Sequence, residues 1–269
     1  MVSNDNSPNP GQKGYDGMLV EVYGKSDIGK LRELNEDSFE IRGFKNGTLS
    51  GVCVLADGMG GHNAGEVASR MAASLICDDL EGSLSEQDNS LIAKKIAAAI
   101  DFANSEIYNM SIKNSAQAGM GTTTIVTFVK EGLVRIANIG DSRAYLISDT
   151  VMRKITVDHS IVEELVQSGS ITRAEARNHP DKNIITRAVG SEKYVDADFY
   201  DYAPVGGEII LLCSDGLTEM LREKEIKAIV NDSDSISKAV DTLIDEANKR
   251  GGTDNITVIA LQFNKEESI

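Results

Sequence analysis

The chain alternates between short, almost wholly apolar runs and longer stretches in which apolar residues recur every three or four positions. The short runs, rich in β-branched residues, predict strands over 19–25, 38–45, 51–56, 122–130, 133–139, 143–148, 208–213 and 256–263. The longer stretches predict helices over 65–80 and 86–112, the second carrying Leu91, Ile92, Ile96, Ile100, Ala103, Ile107 and Met110 at helical spacing. A third runs from Ser235 to Arg250 and is stopped by Gly251-Gly252. Strands and helices do not alternate regularly, and Glu131-Gly132 reads as a short hairpin between two strands. The pattern predicts an α+β chain, with antiparallel sheets covered by amphipathic helices rather than a doubly wound parallel sheet.

Residues 156–195 differ in style, with capping boxes at Ser160-Ile161-Val162-Glu163 and Thr172-Arg173-Ala174-Glu175. Those boxes predict short helices ending near Gly169 and at His179-Pro180, and the segment reads as an inserted flap subdomain. Residues 1–17 carry almost no apolar content and read as a disordered tail, which leaves 18–265 as a single domain. No period of 20–50 residues repeats along the chain.

Composition narrows the function. With 27 basic against 42 acidic residues among 269, the net charge of −15 argues against nucleic-acid or anionic-membrane binding. No stretch approaches the ~18 apolar residues of a membrane span, and no signal-like segment is seen, so a cytoplasmic location is expected. Cys53, Cys77 and Cys213 lack ligand-like spacing and read as reduced core residues.

The chemistry-bearing positions are aspartates. Asp57-Gly58 follows the run Val52-Cys53-Val54-Leu55-Ala56, and Asp215-Gly216 follows Ile209-Ile210-Leu211-Leu212-Cys213. Asp37, Asp141 and Asp254 stand at further strand or turn boundaries. Either Asp-Gly pair alone reads as an ordinary turn. Their repeated placement, beside the glycine-rich stretch from Gly58 to Gly65, points to carboxylates converging on Mg²⁺ or Mn²⁺, which take oxygen ligands. Zinc is not expected, because His and Cys clusters are absent.

The motifs that contain these residues appear in a familiar order. They are Gly29-Lys30-Leu31-Arg32-Glu33-Leu34-Asn35-Glu36-Asp37-Ser38, Ala56-Asp57-Gly58-Met59-Gly60-Gly61-His62, Gly121-Thr122-Thr123-Thr124, and Gly140-Asp141-Ser142-Arg143-Ala144-Tyr145. Asp158-His159-Ser160, Cys213-Ser214-Asp215-Gly216-Leu217 and Gly252-Thr253-Asp254-Asn255-Ile256-Thr257 complete the series. From Leu19 to Phe263 the chain resembles the PPM, or type 2C, metal-dependent protein serine/threonine phosphatases in their bacterial form.

That resemblance implies a four-layer αββα fold: an antiparallel β-sandwich of two sheets, flanked by a helix pair on each outer face, with metals at one end. It implies two Mn²⁺ or Mg²⁺ ions per active site and a third, weaker one. Asp57 would bridge the two ions, the Gly58 carbonyl would ligate one, and Asp215 and Asp254 would hold the other. Asp37 and Glu36 would act largely through metal-bound water, and Asp141 with Asp215 matches the third site.

The implied reaction is hydrolysis of phosphoserine and phosphothreonine by in-line attack of a hydroxide bridging ions about 4 Å apart. Arg32 matches the phosphate-binding arginine of the family. His62 is the expected general acid, although it stands four residues beyond Gly58, whereas in eukaryotic members a histidine directly follows the Asp-Gly pair. His159, His179 and Arg187 read as local structural residues, and Gly216 as opening a turn. Expected partners are phosphoproteins, including substrates of a cognate serine/threonine kinase, acted on by a monomer. The alternatives are a noncatalytic phosphoprotein-binding module, which the intact aspartate set disfavours, and a phosphatase of small phosphomonoesters.

Overall fold

The structure, a computed structural model, describes residues 18–44, 49–61, 64–85 and 88–265. The expected N-terminal tail, 1–17, lies outside the described residues. The strands are β1 (Met18–Asp27), β2 (Asp37–Arg42), β3 (Ser50–Met59), β4 (Gly121–Thr122), β5 (Thr124–Lys130), β6 (Leu133–Ile139), β7 (Arg143–Ile147), β8 (Met152–Lys154), β9 (Asp198–Tyr202), β10 (Ile209–Cys213) and β11 (Ile256–Lys265). The α-helices are α1 (Ala64–Glu81), α2 (Ile92–Lys113), α3 (Ile161–Gln167), α4 (Arg173–Ala176), α5 (Asp215–Met220), α6 (Glu223–Asn231) and α7 (Ile236–Lys249).

Two antiparallel sheets form, in the orders β1-β11-β10-β7-β8 and β2-β3-β5-β6-β9, with β4 pairing to β3. Their continuous apolar runs arise because both faces are covered, so alternate side chains enter different layers. In β3, Val52, Val54 and Ala56 pack under α1 and α2, whereas Cys53 and Leu55 enter the layer between the sheets. In β10, Ile209, Leu211 and Cys213 pack under α5, α6 and α7, whereas Ile210 and Leu212 face the other sheet. The result is the helix–sheet–sheet–helix order that the motifs imply.

Helix periodicity is equally direct. Ile236, Ala239, Val240, Leu243, Ile244 and Ala247 form the buried stripe of α7, whose N-terminus Ser235 caps by accepting from the Lys238 N–H. Small residues Ala64, Gly65, Ala68, Ser69, Ala72 and Ala73 are buried along α1, which lets that helix lie close against β3.

Several expectations need correction. β2 stops at Arg42, short of the expected 45, and 45–48 lie outside the described residues. The helix expected over 86–112 begins as an α-helix only at Ile92, after a 3₁₀ turn at Asn89–Leu91 capped by Asp88. The strand expected over 122–130 is two, broken at Thr123. The pattern does not predict β8, β9, α5 or α6: β8 has three residues, and β9 is Asp-Phe-Tyr-Asp-Tyr on a half-exposed edge. Of the two capping boxes only that of Thr172 closes reciprocally. Ser160 accepts from the Glu163 N–H, but the Glu163 carboxylate turns instead to Arg173 at 3.0 and 3.1 Å. α4 ends at Ala176, before His179-Pro180.

Candidate metal centre

Glu36, Asp37 and Asp57 meet because β2 lies antiparallel to β3 in a register that sets Asp37 directly opposite Asp57. Like charges opposed across a ladder repel, so this pairing needs a proton or a cation. β3 does not end at Asp57-Gly58, as the apolar run suggested, but continues to Met59 because Gly58 and Met59 pair with Thr122 and Gly121 of β4. The Asp57 backbone is held by Thr123: its N–H donates to Thr123 Oγ1 at 3.1 Å, and its carbonyl accepts from the Thr123 N–H at 2.8 Å. Only glycine fits next, since a Cβ on Gly58 would stand 2.1 Å from the Gly65 carbonyl oxygen and 2.6 Å from that of Glu36.

The second half of the site comes from the other sheet. Ser214, at the end of β10, donates its hydroxyl to Asp37 Oδ2 at 2.8 Å and accepts from the Thr257 N–H at 2.9 Å. Asp215 then begins α5, so Gly216 is a helical residue rather than the start of a turn; a Cβ there would lie 2.0 Å from the Asn255 carbonyl oxygen. Asn255 ties the loop between β1 and β2 to this end. Its Nδ2 donates to the carbonyls of Ile28 and Leu34 at 2.9 and 3.0 Å, and its Oδ1 accepts from the Glu36 N–H at 2.8 Å. Arg32, on that loop, donates to Asp254 Oδ2 at 2.8 Å and lies 3.8 Å from Glu36.

Asp141 sits in the turn between β6 and β7, pinned by His159. The His159 backbone N–H donates to the Gly140 carbonyl at 2.9 Å, and its Nδ1 accepts from the Gly140 N–H at 3.1 Å. The proton therefore sits on Nε2, which faces Asp198 at 3.2 Å. Arg187 is held by Asp198 Oδ1 at 2.9 Å, and His179 accepts from the Asp181 N–H, so both make local hydrogen bonds. A cleft of about 620 Å³ is lined by Asp141 and Asp215 together with Val162, Val166 and Ala176.

Electrostatically the aspartates form one unit. Burial, reinforced by Asp37, Asp215, Asp141 and Asp254, holds the Asp57 carboxyl well above the usual range. Burial does the same for Asp215, with Asp141 and Asp254 adding to it. Burial pushes Asp37 up to about 6 against the hydroxyls that hydrogen-bond it, and pushes Asp141 up to about 6 with help from Asp158. Asp37 Oδ1 and Glu36 Oε1 are buried and have no hydrogen-bond partner. A divalent cation answers all of these, because it accepts orphaned oxygens and cancels converging negative charge. Among the described residues no three such side chains close into a ready cage.

His62, the expected proton donor, lies outside the described residues. Ser214, Thr123 and Asn255, which hold the Asp37 carboxylate, the Asp57 backbone and the Glu36 N–H, stood within the motifs without an assigned role; each neighbours an aspartate or another motif residue, which was the signal available.

A two-sheet sandwich thus carries mutually interacting buried carboxylates, Asp37, Asp57, Asp141 and Asp215, at one end. The chain belongs to the protein phosphatase 2C family, whose model matches residues 24–255. It is a metal-dependent protein serine/threonine phosphatase, and phosphoproteins are its substrates. It is similar to the serine/threonine phosphatase stp of Listeria innocua, with 39% identity over 89% of this chain and 94% of that one. The serine/threonine phosphatase of S. agalactiae superposes with a TM-score of 0.82 at 34% identity, covering 90% of this chain and 99% of that one. The catalytic domain of the phosphatase PstP, in complex with 2 manganese ions, superposes with a TM-score of 0.80 at 32% identity, covering 92% and 100% of the two chains. Among the described residues no helix is long and apolar enough to cross a membrane.

Proposed function

We propose that Asp37, Asp57, the Gly58 carbonyl, Asp215 and Asp254 hold two divalent ions, Mn²⁺ or Mg²⁺, and that Asp141 with Asp215 holds a third more weakly. The carrying observation is the direct opposition of Asp37 and Asp57, with one Asp37 oxygen buried and unpartnered. The two manganese ions of the PstP relative support the count. When bound, the ions would supply a water of lowered pKa and neutralise charge on the phosphoryl group.

The chain's own residues do the rest. Arg32 exchanges part of its contact with Asp254 for phosphate oxygens, its planar fork fixing the phosphorus for in-line attack. His62, four residues beyond Gly58 in sequence, is assigned the proton donor to the departing serine or threonine oxygen. Residues 18–265 make one catalytic domain, with 156–195 as a flap over the cleft beside Asp141. The protein works in the cytoplasm as a monomer, on substrates of a cognate serine/threonine kinase.

Phosphopeptide hydrolysis measured across metals, beside Asp215→Asn, tests this assignment. Turnover should require Mn²⁺ or Mg²⁺, vanish with chelator, and fall by at least about a thousandfold in the variant. Metal-independent turnover, or an active Asp215→Asn, would sink it. His62→Ala should slow a phosphopeptide far more than an aryl phosphate, whose leaving group needs no proton.

A further inference from the structure

The loop that carries Arg32 holds two large apolar side chains out in water. Leu31 is 70% exposed, and Ile28, three residues earlier in the same turn, is 38% exposed. Exposed leucines are common and need no explanation where the backbone is free to move. Here it is not. The Lys30 N–H donates to the Gly252 carbonyl at 2.7 Å, Arg32 is tied to Asp254, and Asn255 grips the carbonyls of Ile28 and Leu34. Leu31 is thus fixed at the rim of the metal centre, between two anchored neighbours.

We propose that Leu31, with Ile28 beside it, selects phosphoprotein segments that carry an apolar side chain within two positions of the phosphorylated serine or threonine. The inference rests on Arg32 binding the phosphate. Adjacent Cα atoms stand about 3.8 Å apart, and an extended peptide advances about 3.3 Å per residue. A phosphoresidue held by Arg32 therefore brings its close neighbours within reach of Leu31, the adjacent residue in the chain. Covering that side chain with an apolar partner removes both from water, whereas a polar or acidic neighbour gains nothing there. The net charge of −15 further disfavours acidic flanks.

The test compares two phosphothreonine peptides of equal length and charge, one flanked by leucine and one by serine, with p-nitrophenyl phosphate as a substrate that has no flanks. Wild type in Mn²⁺ should favour the leucine-flanked peptide by about tenfold in kcat/KM, carried mainly in KM. Leu31→Ala should abolish that preference and leave p-nitrophenyl phosphate unchanged, and Leu31→Met should keep it. An unchanged preference in Leu31→Ala, an equal loss on p-nitrophenyl phosphate, or no preference in wild type overturns the proposal. Wild type that hydrolyses none of the three in Mn²⁺ overturns the phosphatase reading itself, and this inference with it.

Discussion

Asp37 and Asp57 face one another across a ladder in which almost any other pair would be more stable. Asp57→Asn should therefore raise stability in chelator by about 1 kcal/mol, read from urea midpoints, while removing Mn²⁺-dependent turnover. A variant less stable than wild type in chelator would show that the opposition is already relieved by proton sharing. The aspartates were legible in the sequence because a carboxylate beside a buried apolar run is costly and its repetition is improbable without a ligand. The groups that orient them were not. Ser214 and Asn255 act through contacts 177 and 219 residues away in sequence, with Asp37 and the Glu36 N–H, and no local pattern encodes such a pairing.

At the scale of elements, the site depends on backbone segments packed closer than any side chain permits. Gly58→Ala would force its Cβ into the carbonyls of Gly65 and Glu36, neither of which can rotate away. An expected cost of about 1–3 kcal/mol in thermal or urea unfolding, together with lost turnover, checks this. The strands with both faces buried were easy to read, since β3 and β10 needed only apolar continuity. β9 escaped because Asp198 and Asp201 serve Arg187 and Arg135, so its polarity reflects ion pairing rather than a loop. α5 escaped because six residues do not establish a helical period.

For the whole molecule, the proposed site sets metal and proton in competition for the same carboxylates. Asp37 and Asp141, pushed up to about 6, lie above the unfolded aspartate value of about 4. Their protonated forms favour the fold below that unfolded value, and the contribution is lost as pH rises through about 6. Above that pH a cation takes over the proton's role. Stabilisation by Mn²⁺ should therefore grow from about pH 5 to about pH 7.5. At a hundredfold excess over its dissociation constant it should reach about 2.7 kcal/mol, or a rise in Tm of about 5–10 °C. Scanning calorimetry with and without chelator measures it, and a pH-independent shift would place binding elsewhere.

The pairing of β1 with β11 joins the two ends of the described chain, from Met18↔Lys265 to Asp27↔Ile256. Asp254 and Asn255 immediately precede β11, and the loop bearing Arg32 follows β1. Elements from opposite ends of the described chain thus close the site together, and Asp254 takes its place beside Arg32 only once β11 has paired with β1.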